Sequence, residues 1–274
     1  MAMRSILESV PVQKVTEGGG VQVRRAFPTH RIAHVDPFLL FDHLGPLAFS
    51  PGEARGFPEH PHRGFETVTY LLRGAMEHRD SFGNHGRLGP GDVQWMTAGS
   101  GLVHAEMPAA EMVRDGGVLE GFQIWVNLPR RDKMTAPHYQ EWKAERIPRV
   151  IREGVEARVV AGEAMGVRGA VETRSPIAYI HFTLAPGATF QQAAPASQNA
   201  LVYSVEEGRM TAYAHDGDAV ELANAGDVPV NLLFLAGQPL DEPVVRYGPF
   251  VMNSKEEIAQ AFEDFRSGKM GTLA

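Results

Sequence analysis

Two short segments of the chain each carry a pair of side chains that could bind a metal ion. His60 and His62 flank a proline, and His104 and Glu106 flank an alanine. Residues two apart in an extended strand point to the same side, so each pair would present both of its groups to one point. If the two strands are neighbours in a barrel, three imidazoles and one carboxylate converge on one small volume, which predicts a metal site.

The predicted ligand set restricts the identity of the metal. Three neutral imidazoles and one carboxylate suit iron, nickel, manganese, cobalt, copper or zinc, and they do not suit calcium or magnesium. Four protein ligands leave one or two positions open on a metal that prefers six, and a catalytic site needs such an open position. Ligand type alone does not choose among neighbouring first-row ions.

Glu66 is the main alternative to Glu106 as the carboxylate ligand. It follows His62 by four residues, which in an extended chain places it on the same face. The histidines outside the two pairs are interpreted as structural or surface residues, and His43 is the best candidate among them for a supporting role beside the ligands. These histidines are His30, His34, His43, His78, His85, His138, His181 and His215.

The composition excludes several classes of protein. The chain has 274 residues, of which 43% are hydrophobic and 22% charged, as is typical of a globular protein. Cysteine is absent, so disulfides, thiolate nucleophiles and thiolate-bound clusters are excluded. A net charge of −7 without a long basic run argues against direct nucleic-acid binding. The sequence has no apolar run of the length that a signal peptide or a membrane span requires, so we expect a cytoplasmic protein.

Glycine and proline divide most of the sequence into short apolar or alternating segments. This spacing is typical of an all-β sandwich or barrel. The segments predicted to be strands are Thr67–Leu72, Val93–Met96, Phe122–Val126, Tyr179–Leu184, Leu201–Val205 and Val230–Leu235.

The C-terminal region instead predicts an amphipathic helix docked on the β-rich body. Ser254 and Glu257 match a capping box, which places the start of the helix at this point. Gly268 can end it. The apolar residues that recur at helical spacing on one face are Ile258, Ala261, Phe262 and Phe265.

A weak internal repeat indicates two copies of one β unit, with a boundary near residues 135–150. In each half a strand ends at a glycine, Gly74 or Gly208, and a Gly-Asp turn follows, at Gly91 or Gly226. Aligning the halves on these glycines puts Ala194 and Ala196 at the positions of His60 and His62, and it puts Pro239 and Asp241 near those of His104 and Glu106. We therefore expect the second half to be metal-free.

The motifs identify the chain as a divergent cupin. Ordinary cupins carry G-x5-H-x-H-x3-4-E-x6-G, which the segment from His60 to Gly74 matches loosely, and in the second cupin motif Thr97 replaces the usual proline. Long stretches resemble the pirins, a subgroup of the cupins. These stretches are DPFLLFDHLGP (36–46), PHRGFETVTYLLRG (61–74), GNHGRLGPGDVQWMTAGSGLVHAEMP (83–108), IWVNLPRRDKMTAPHYQ (124–140) and GPFVMNSKEEIAQAFEDFRSG (248–268).

The resemblance to pirins implies an all-β bicupin, with two tandem antiparallel jelly-roll-like barrels followed by the C-terminal helix. It implies a metal-binding cupin over residues 1–138 and a metal-free cupin with the terminal helix over 139–274. It also implies that one iron, Fe(II), is bound through His60, His62, His104 and Glu106, which favours Glu106 over Glu66.

The pirin family includes quercetin 2,3-dioxygenases and metal-dependent regulators of transcription factors or enzymes, so two functions follow as expectations. The first is an iron-dependent dioxygenase that cleaves a planar, flavonol-like enol with dioxygen, with Glu106 as the catalytic base. Its apolar wall could include Phe57, Phe65, Trp95 and Met107, although core packing explains each of these residues more simply. The second is a non-enzymatic, metal-gated protein that binds a transcription factor or a metabolic enzyme. Because the repeat supplies two cupins in one chain, we expect a monomer.

Overall fold

The computed structural model describes residues 2–273, and its secondary structure is dominated by antiparallel strands. The strands are β1 (Ile6–Pro11), β2 (Gln13–Glu17), β3 (Val21–Phe27), β4 (Phe38–Phe49), β5 (Phe57–His62), β6 (Phe65–Arg73), β7 (Met76–Asp80), β8 (His85–Leu88), β9 (Val93–Thr97), β10 (Leu102–Pro108), β11 (Gly117–Asn127), β12 (His138–Trp142), β13 (Arg149–Arg152), β14 (Val155–Ala161), β15 (Glu163–Ala164), β16 (Val167–Arg168), β17 (Ile177–Leu184), β18 (Thr189–Ala193), β19 (Asn199–Ser204), β20 (Arg209–Tyr213), β21 (Ala219–Ala223), β22 (Val230–Gly237), β23 (Val245–Tyr247) and β24 (Phe250–Met252). The helices are α1 (Ala110–Asp115) and α2 (Lys255–Arg266), and short 3-10 turns span Arg130–Asp132 and Ala144–Arg146.

The first cupin is a compact unit made of Lys14–His34, Phe38–Ala144 and the described residues from Asp241 onward. Its larger sheet has the strand order β12-β9-β6-β11-β4-β3-β2, and its smaller sheet has the order β5-β10-β7-β8. Large apolar side chains such as Phe41, Leu71 and Phe122 are fully buried in this unit. Their burial supplies the main driving force for holding the strands together.

The second cupin is made of the described residues up to Gln13, Val35–Pro37 and Glu145–Leu240. Its main sheet has the order β1-β20-β19-β22-β17-β14-β13, and β18 pairs with β21. One apolar cluster forms its core and includes Val159, Ile180 and Phe234. The predicted fold class, an all-β bicupin with a C-terminal helix, is confirmed, and each of the six predicted strands overlaps an observed one.

The two cupins do not follow the contiguous division into 1–138 and 139–274. Strand β1 pairs with β20, so the N-terminal strand completes the sheet of the second cupin. Helix α2 belongs to the first cupin, because Ile258 and Ala261 pack in one apolar cluster with Val103 and Phe250. The chain thus supplies each cupin with a segment from the opposite end of the sequence.

The C-terminal helix has the predicted start, but only part of the predicted face is buried. Ile258 and Ala261 are buried and Phe262 is half-buried, whereas Phe265 is exposed. The Ser254 hydroxyl accepts a hydrogen bond from the Glu257 amide, and the Glu257 carboxylate accepts one from the Ser254 amide, which is the complete capping box. Within residues 2–273, no helix is both long enough and apolar enough to cross a membrane.

Candidate metal centre

Strands β5 and β10 bring the two ligand pairs together. They are antiparallel neighbours in the smaller sheet of the first cupin, and His60 lies directly opposite His104. His62 lies opposite Leu102, one pleat further along β5. Opposed residues on neighbouring strands have adjacent side chains on one face of the sheet, which is why the imidazoles meet.

The three imidazoles are close enough to share one ion. One nitrogen from each of His60, His62 and His104 lies within 4.8 Å of the other two. The Nε2 atoms of His60 and His104 are 2.9 Å apart. Transition metals bind imidazole nitrogens at about 2.0–2.1 Å, so nitrogens at these separations fit around a single metal.

Backbone carbonyls select the nitrogens that can act as ligands. The Nδ1 atom of His60 lies 2.7 Å from the Pro58 carbonyl oxygen, and that of His62 lies 3.2 Å from the Pro249 carbonyl oxygen. Nδ1–H donates to each carbonyl, which leaves the Nε2 lone pair for a metal. His104 is fully buried, and its Nδ1 has no hydrogen-bond partner among the described residues.

The electrostatic environment keeps two of the imidazoles neutral. Burial, and after it the neighbouring His60, holds the pKa of His62 well below its usual value. Burial also lowers the pKa of His104 well below the usual value, and His60 and His62 add to this effect. A neutral imidazole is the form that binds a metal, so these rings need not lose a proton near pH 7.

Glu106 is buried beside the imidazoles but lies outside their 4.8 Å group. Its carboxylate accepts a hydrogen bond of 2.9 Å from the Thr69 hydroxyl and one of 3.4 Å from the Gln123 amide. Burial raises the pKa of Glu106, while His60 and the Thr69 hydrogen bond oppose the rise. The register shift between these two strands lies on β5, where the three steps from Phe57 to His60 face two steps of β10. Strand β10 pairs regularly with β7 from His104 to Glu106, so these two side chains keep the same face.

Glu66 lies on a different face from the imidazoles. Gly64, with φ of +87°, makes a turn between β5 and β6. The alternation of side-chain direction that starts at His62 therefore does not continue to Glu66. Thr69, which contacts Glu106, is three residues further along β6, and residues three apart on a strand face opposite sides. The Glu66 carboxylate instead accepts a 2.6 Å hydrogen bond from the Thr97 hydroxyl.

The C-terminal segment supports the turn that follows strand β5. Lys133 is buried, and its Nζ donates to the carbonyl oxygens of Gly64 at 2.7 Å and Val251 at 3.1 Å. Arg63, next to His62, donates to the Asp264 carboxylate of α2 at 2.9 Å. With the Pro249 carbonyl at His62, these contacts make residues 249–264 part of the structure that holds the candidate ligands.

A cavity of about 590 Å³ opens from His60, His62 and Glu106. Of the predicted apolar wall residues, only Phe57 is among those lining this cavity. Phe65 and Trp95 are buried in the core, and Met107 is exposed. The other lining residues are Glu17, Gly18, Val23, Arg25, Leu40, Asp42, Leu44, Pro58, Glu59, Gln123, Trp125, Arg246, Gly248 and Pro249.

A polar row across the larger sheet forms part of the cavity wall, and the sequence analysis missed it. The Arg25 guanidinium donates to both Asp42 carboxylate oxygens, at 2.8 and 2.6 Å. The Thr69 hydroxyl oxygen also lies 2.6 Å from the Gln123 side-chain oxygen, so its single proton is shared between Gln123 and Glu106. Each member lies opposite the next on the neighbouring strand. In order, the row is Arg25 on β3, Asp42 on β4, Gln123 on β11 and Thr69 on β6.

His43 does not take the supporting role predicted for it. It follows Asp42 on β4 and therefore points to the opposite face, away from the cavity. There it is buried, with its Nε2 3.3 Å from a Glu120 carboxylate oxygen and 3.1 Å from an Arg24 nitrogen. His43 is therefore a buried polar residue whose contacts with Glu120 and Arg24 lie away from the candidate metal site.

The comparisons with known proteins agree with this fold. The Pirin family profile matches residues 20–126, and the profile of the Pirin C-terminal cupin domain matches residues 179–271. Mouse Pirin is 44% identical over 283 residues, which cover 98% of this chain and 94% of the mouse protein. A solved structure of quercetin 2,3-dioxygenase from Acinetobacter baumannii has a TM-score of 0.93 and 37% identity, with each chain fully covered. The Escherichia coli pirin YhhW in complex with nickel(II) shares the fold at 18% identity and a TM-score of 0.63, covering 83% of this chain and 96% of that one.

The fold and the three-imidazole cluster define a bicupin with a candidate metal site in its first cupin. Both profiles and an identity above 40% across almost the whole chain point to the same group within the cupins. The chain belongs to the pirin family.

Proposed function

We propose that the protein is an iron-dependent dioxygenase that cleaves a planar, flavonol-like enol. In this proposal His60, His62, His104 and Glu106 hold one Fe(II) in the first cupin. The observation that carries it is the opening of a cavity of about 590 Å³ from His60, His62 and Glu106, next to the cluster that the two histidines form with His104. A cavity of this size suits a drug-sized or flavonol-sized molecule. The similarity to a quercetin 2,3-dioxygenase at 37% identity supports the choice of substrate class.

The residues around the cavity have distinct roles in this proposal. Bound iron supplies Lewis acidity toward the enol oxygen and redox contact with dioxygen. Glu106 accepts the proton that the enol hydroxyl loses, which makes the substrate an electron-rich anion. Thr69 and Gln123 hold the Glu106 carboxylate in position through the hydrogen bonds described above. Apolar side chains such as Leu40 and Leu44 exclude water from the planar substrate.

Nickel, manganese, cobalt, copper and zinc remain competitors of iron. Imidazole ligands accept all of them, and affinity alone favours the later members of the series. A redox-active metal suits the proposed chemistry, which disfavours zinc, and among the others iron is proposed because the pirin resemblance implies it.

An oxygen electrode tests the proposal. Iron-loaded protein should consume dioxygen in proportion to the quercetin it cleaves, and His104→Ala should lose this activity together with its metal. Glu106→Gln, reloaded with iron, should lose more activity than its remaining iron explains, because the base is also gone.

Absence of oxygen uptake with quercetin and related enols, at full iron loading, would contradict the dioxygenase. The metal-gated binding protein would then be the better account if iron alters hydrogen exchange in residues 58–64 and 99–107. Those two segments adjoin the imidazoles and would present the altered surface to a protein partner.

A further inference from the structure

Two guanidiniums line the cavity of the first cupin, and their environments differ. Arg25 is neutralised, since Asp42 accepts two of its hydrogen bonds and Glu17 lies 2.7 Å away. Arg246 has no carboxylate within ion-pair distance among the residues that the structure describes. Its hydrogen bond to the Leu39 carbonyl is 3.5 Å long, at the limit for such a bond.

Trp125 holds Arg246 at the cavity. The guanidinium carbon lies 4.5 Å from the centre of the Trp125 ring, a cation–π contact. The same ring lies 5.2 Å from His62 and 4.4 Å from Phe65, so the tryptophan is fixed between the ligand strand and the arginine. At these separations, one flavonol-sized molecule can reach both Arg246 and the candidate metal site.

We propose that Arg246 is a specificity-determining residue that binds a carboxylate of the substrate. The preferred substrate class is then a planar enol that also carries a carboxylate, with its enol oxygen at the imidazoles and its carboxylate on Arg246. A guanidinium binds a carboxylate through two parallel hydrogen bonds, which fixes orientation as well as adding affinity. This inference rests on the proposed function for the position of the enol.

The other charged residues of the cavity wall are Arg25 and four carboxylates, those of Glu17, Asp42, Glu59 and Glu106. Asp42 and Glu17 share the single guanidinium of Arg25, so these three residues together keep one negative charge, and Glu106 lies at the candidate metal site. Glu59 and Arg246 are both exposed, so water and salt screen both charges in part. Among the described residues of the cavity wall, Arg246 is the arginine without a direct ion pair, and it is therefore the cation that an incoming carboxylate would meet.

Binding to iron-loaded protein without oxygen tests the inference separately from catalysis. The probes are 3-hydroxyflavone and its 4′-carboxylate, titrated by calorimetry. The wild type should bind the carboxylate about tenfold more tightly, the scale of one charge-assisted contact. Arg246→Met, which keeps an apolar contact with Trp125, should reduce the ratio to about one, and Arg246→Lys should retain part of it.

Arg266→Met is the matched control, because Arg266 also lies over an aromatic ring, that of Phe262, but does not line the cavity. It should leave the affinity ratio unchanged. A wild type that does not prefer the carboxylate, or an Arg246→Met variant that keeps the preference, would overturn the role of Arg246. Neither result bears on the dioxygenase, which depends on oxygen uptake.

Discussion

The hydrogen bonds at the Nδ1 atoms of His60 and His62 determine what these imidazoles can bind. Each Nδ1 faces a backbone carbonyl, so each Nε2 is an acceptor with no proton of its own. Two such nitrogens facing each other would repel, whereas a cation between them accepts both lone pairs. The same carbonyls hold the rings in orientation before any metal arrives, which lowers the entropic cost of binding.

Glu106→Gln should weaken metal binding at least about tenfold, because an amide cannot replace the charge of a carboxylate ligand. Glu66→Gln should change the affinity much less, since its carboxylate bonds to Thr97 on another face. Competition with a chelator of known affinity measures both variants. Loss of metal in the Glu66 variant with full retention in the Glu106 variant would reverse the assignment of the carboxylate ligand.

At the residue scale, the sequence predicted the imidazole cluster because alternation along a strand is reliable over two residues. His60 and His62 needed only that rule. The same alternation rule gave a wrong prediction over four residues, since the turn at Gly64 separates His62 from Glu66. Trp125 and Arg246 could not be predicted as cavity residues, because their positions depend on strand register and on a C-terminal segment far away in sequence.

At the scale of elements, strands β5 and β10 present the candidate ligands, and the segment from β23 to α2 supports them. The Arg63–Asp264 pair ties the residue after His62 to the helix, and the main chain of β24 lies beside Arg63. Lys269 first, and then Arg63, lowers the pKa of Asp264 to about 2, so the carboxylate stays charged at neutral pH. Helix docking and the ligand geometry are therefore coupled.

Asp264→Asn should destabilise the first cupin by at least about 1.5 kcal/mol, because charge-assisted hydrogen bonds to Arg63 are weakened in a buried position. Hydrogen exchange should increase over residues 249–266, and metal affinity should fall as the Pro249 carbonyl loosens from His62. Glu263→Gln makes the same change of charge at an exposed position of α2 and serves as the control. Equal exchange and affinity in both variants would show that helix docking and the metal site are independent.

The sequence located the elements better than it located their partners. The Ser254 capping box and the apolar periodicity after it predicted α2 because both signals are local. The docking of α2 on the first cupin, through Ile258 and Ala261, is a contact between distant parts of the chain. Local periodicity contains no information on that choice, nor on the register that aligns the polar row of Arg25, Asp42, Gln123 and Thr69.

At the scale of the whole molecule, the strand orders show how the two halves correspond. The order β4-β11-β6-β9 of the first cupin matches β17-β22-β19-β20 of the second, and the β5–β10 pair matches β18–β21. Gly226 precedes β22, the counterpart of β11, so aligning it on Gly91 was wrong. Asp241 follows β22 and does not lie on the counterpart of β10, which is β21.

The second cupin should lose stability in mild acid because of His181. Burial lowers the pKa of His181 to about 4, so the unfolded chain binds a proton more readily than the folded one below the ordinary value of 6.5. The contribution of neutral His181 to the free energy of unfolding is complete above pH 6.5. It declines as the pH falls toward 4, by on the order of 3 kcal/mol. Urea unfolding of metal-free protein across this range measures the decline.

His181→Gln should flatten that pH dependence, since glutamine can still donate to the Asn231 side-chain oxygen but does not titrate. His138→Gln, a change at an exposed histidine, provides the comparison. Parallel pH profiles for wild type and His181→Gln would exclude His181 as the source.

The metal content of the whole chain tests the central claim most directly, namely that one transition metal is held by the imidazoles of the first cupin. Elemental analysis of the purified, metal-loaded protein should give one ion per chain. His60→Ala with His62→Ala should reduce this to nearly zero while the fold is retained, because a chain of this length has enough core without the metal. The paired change of the exposed His85 and His138 to alanine should leave one ion in place. Full stoichiometry in the His60 and His62 double variant would contradict the account.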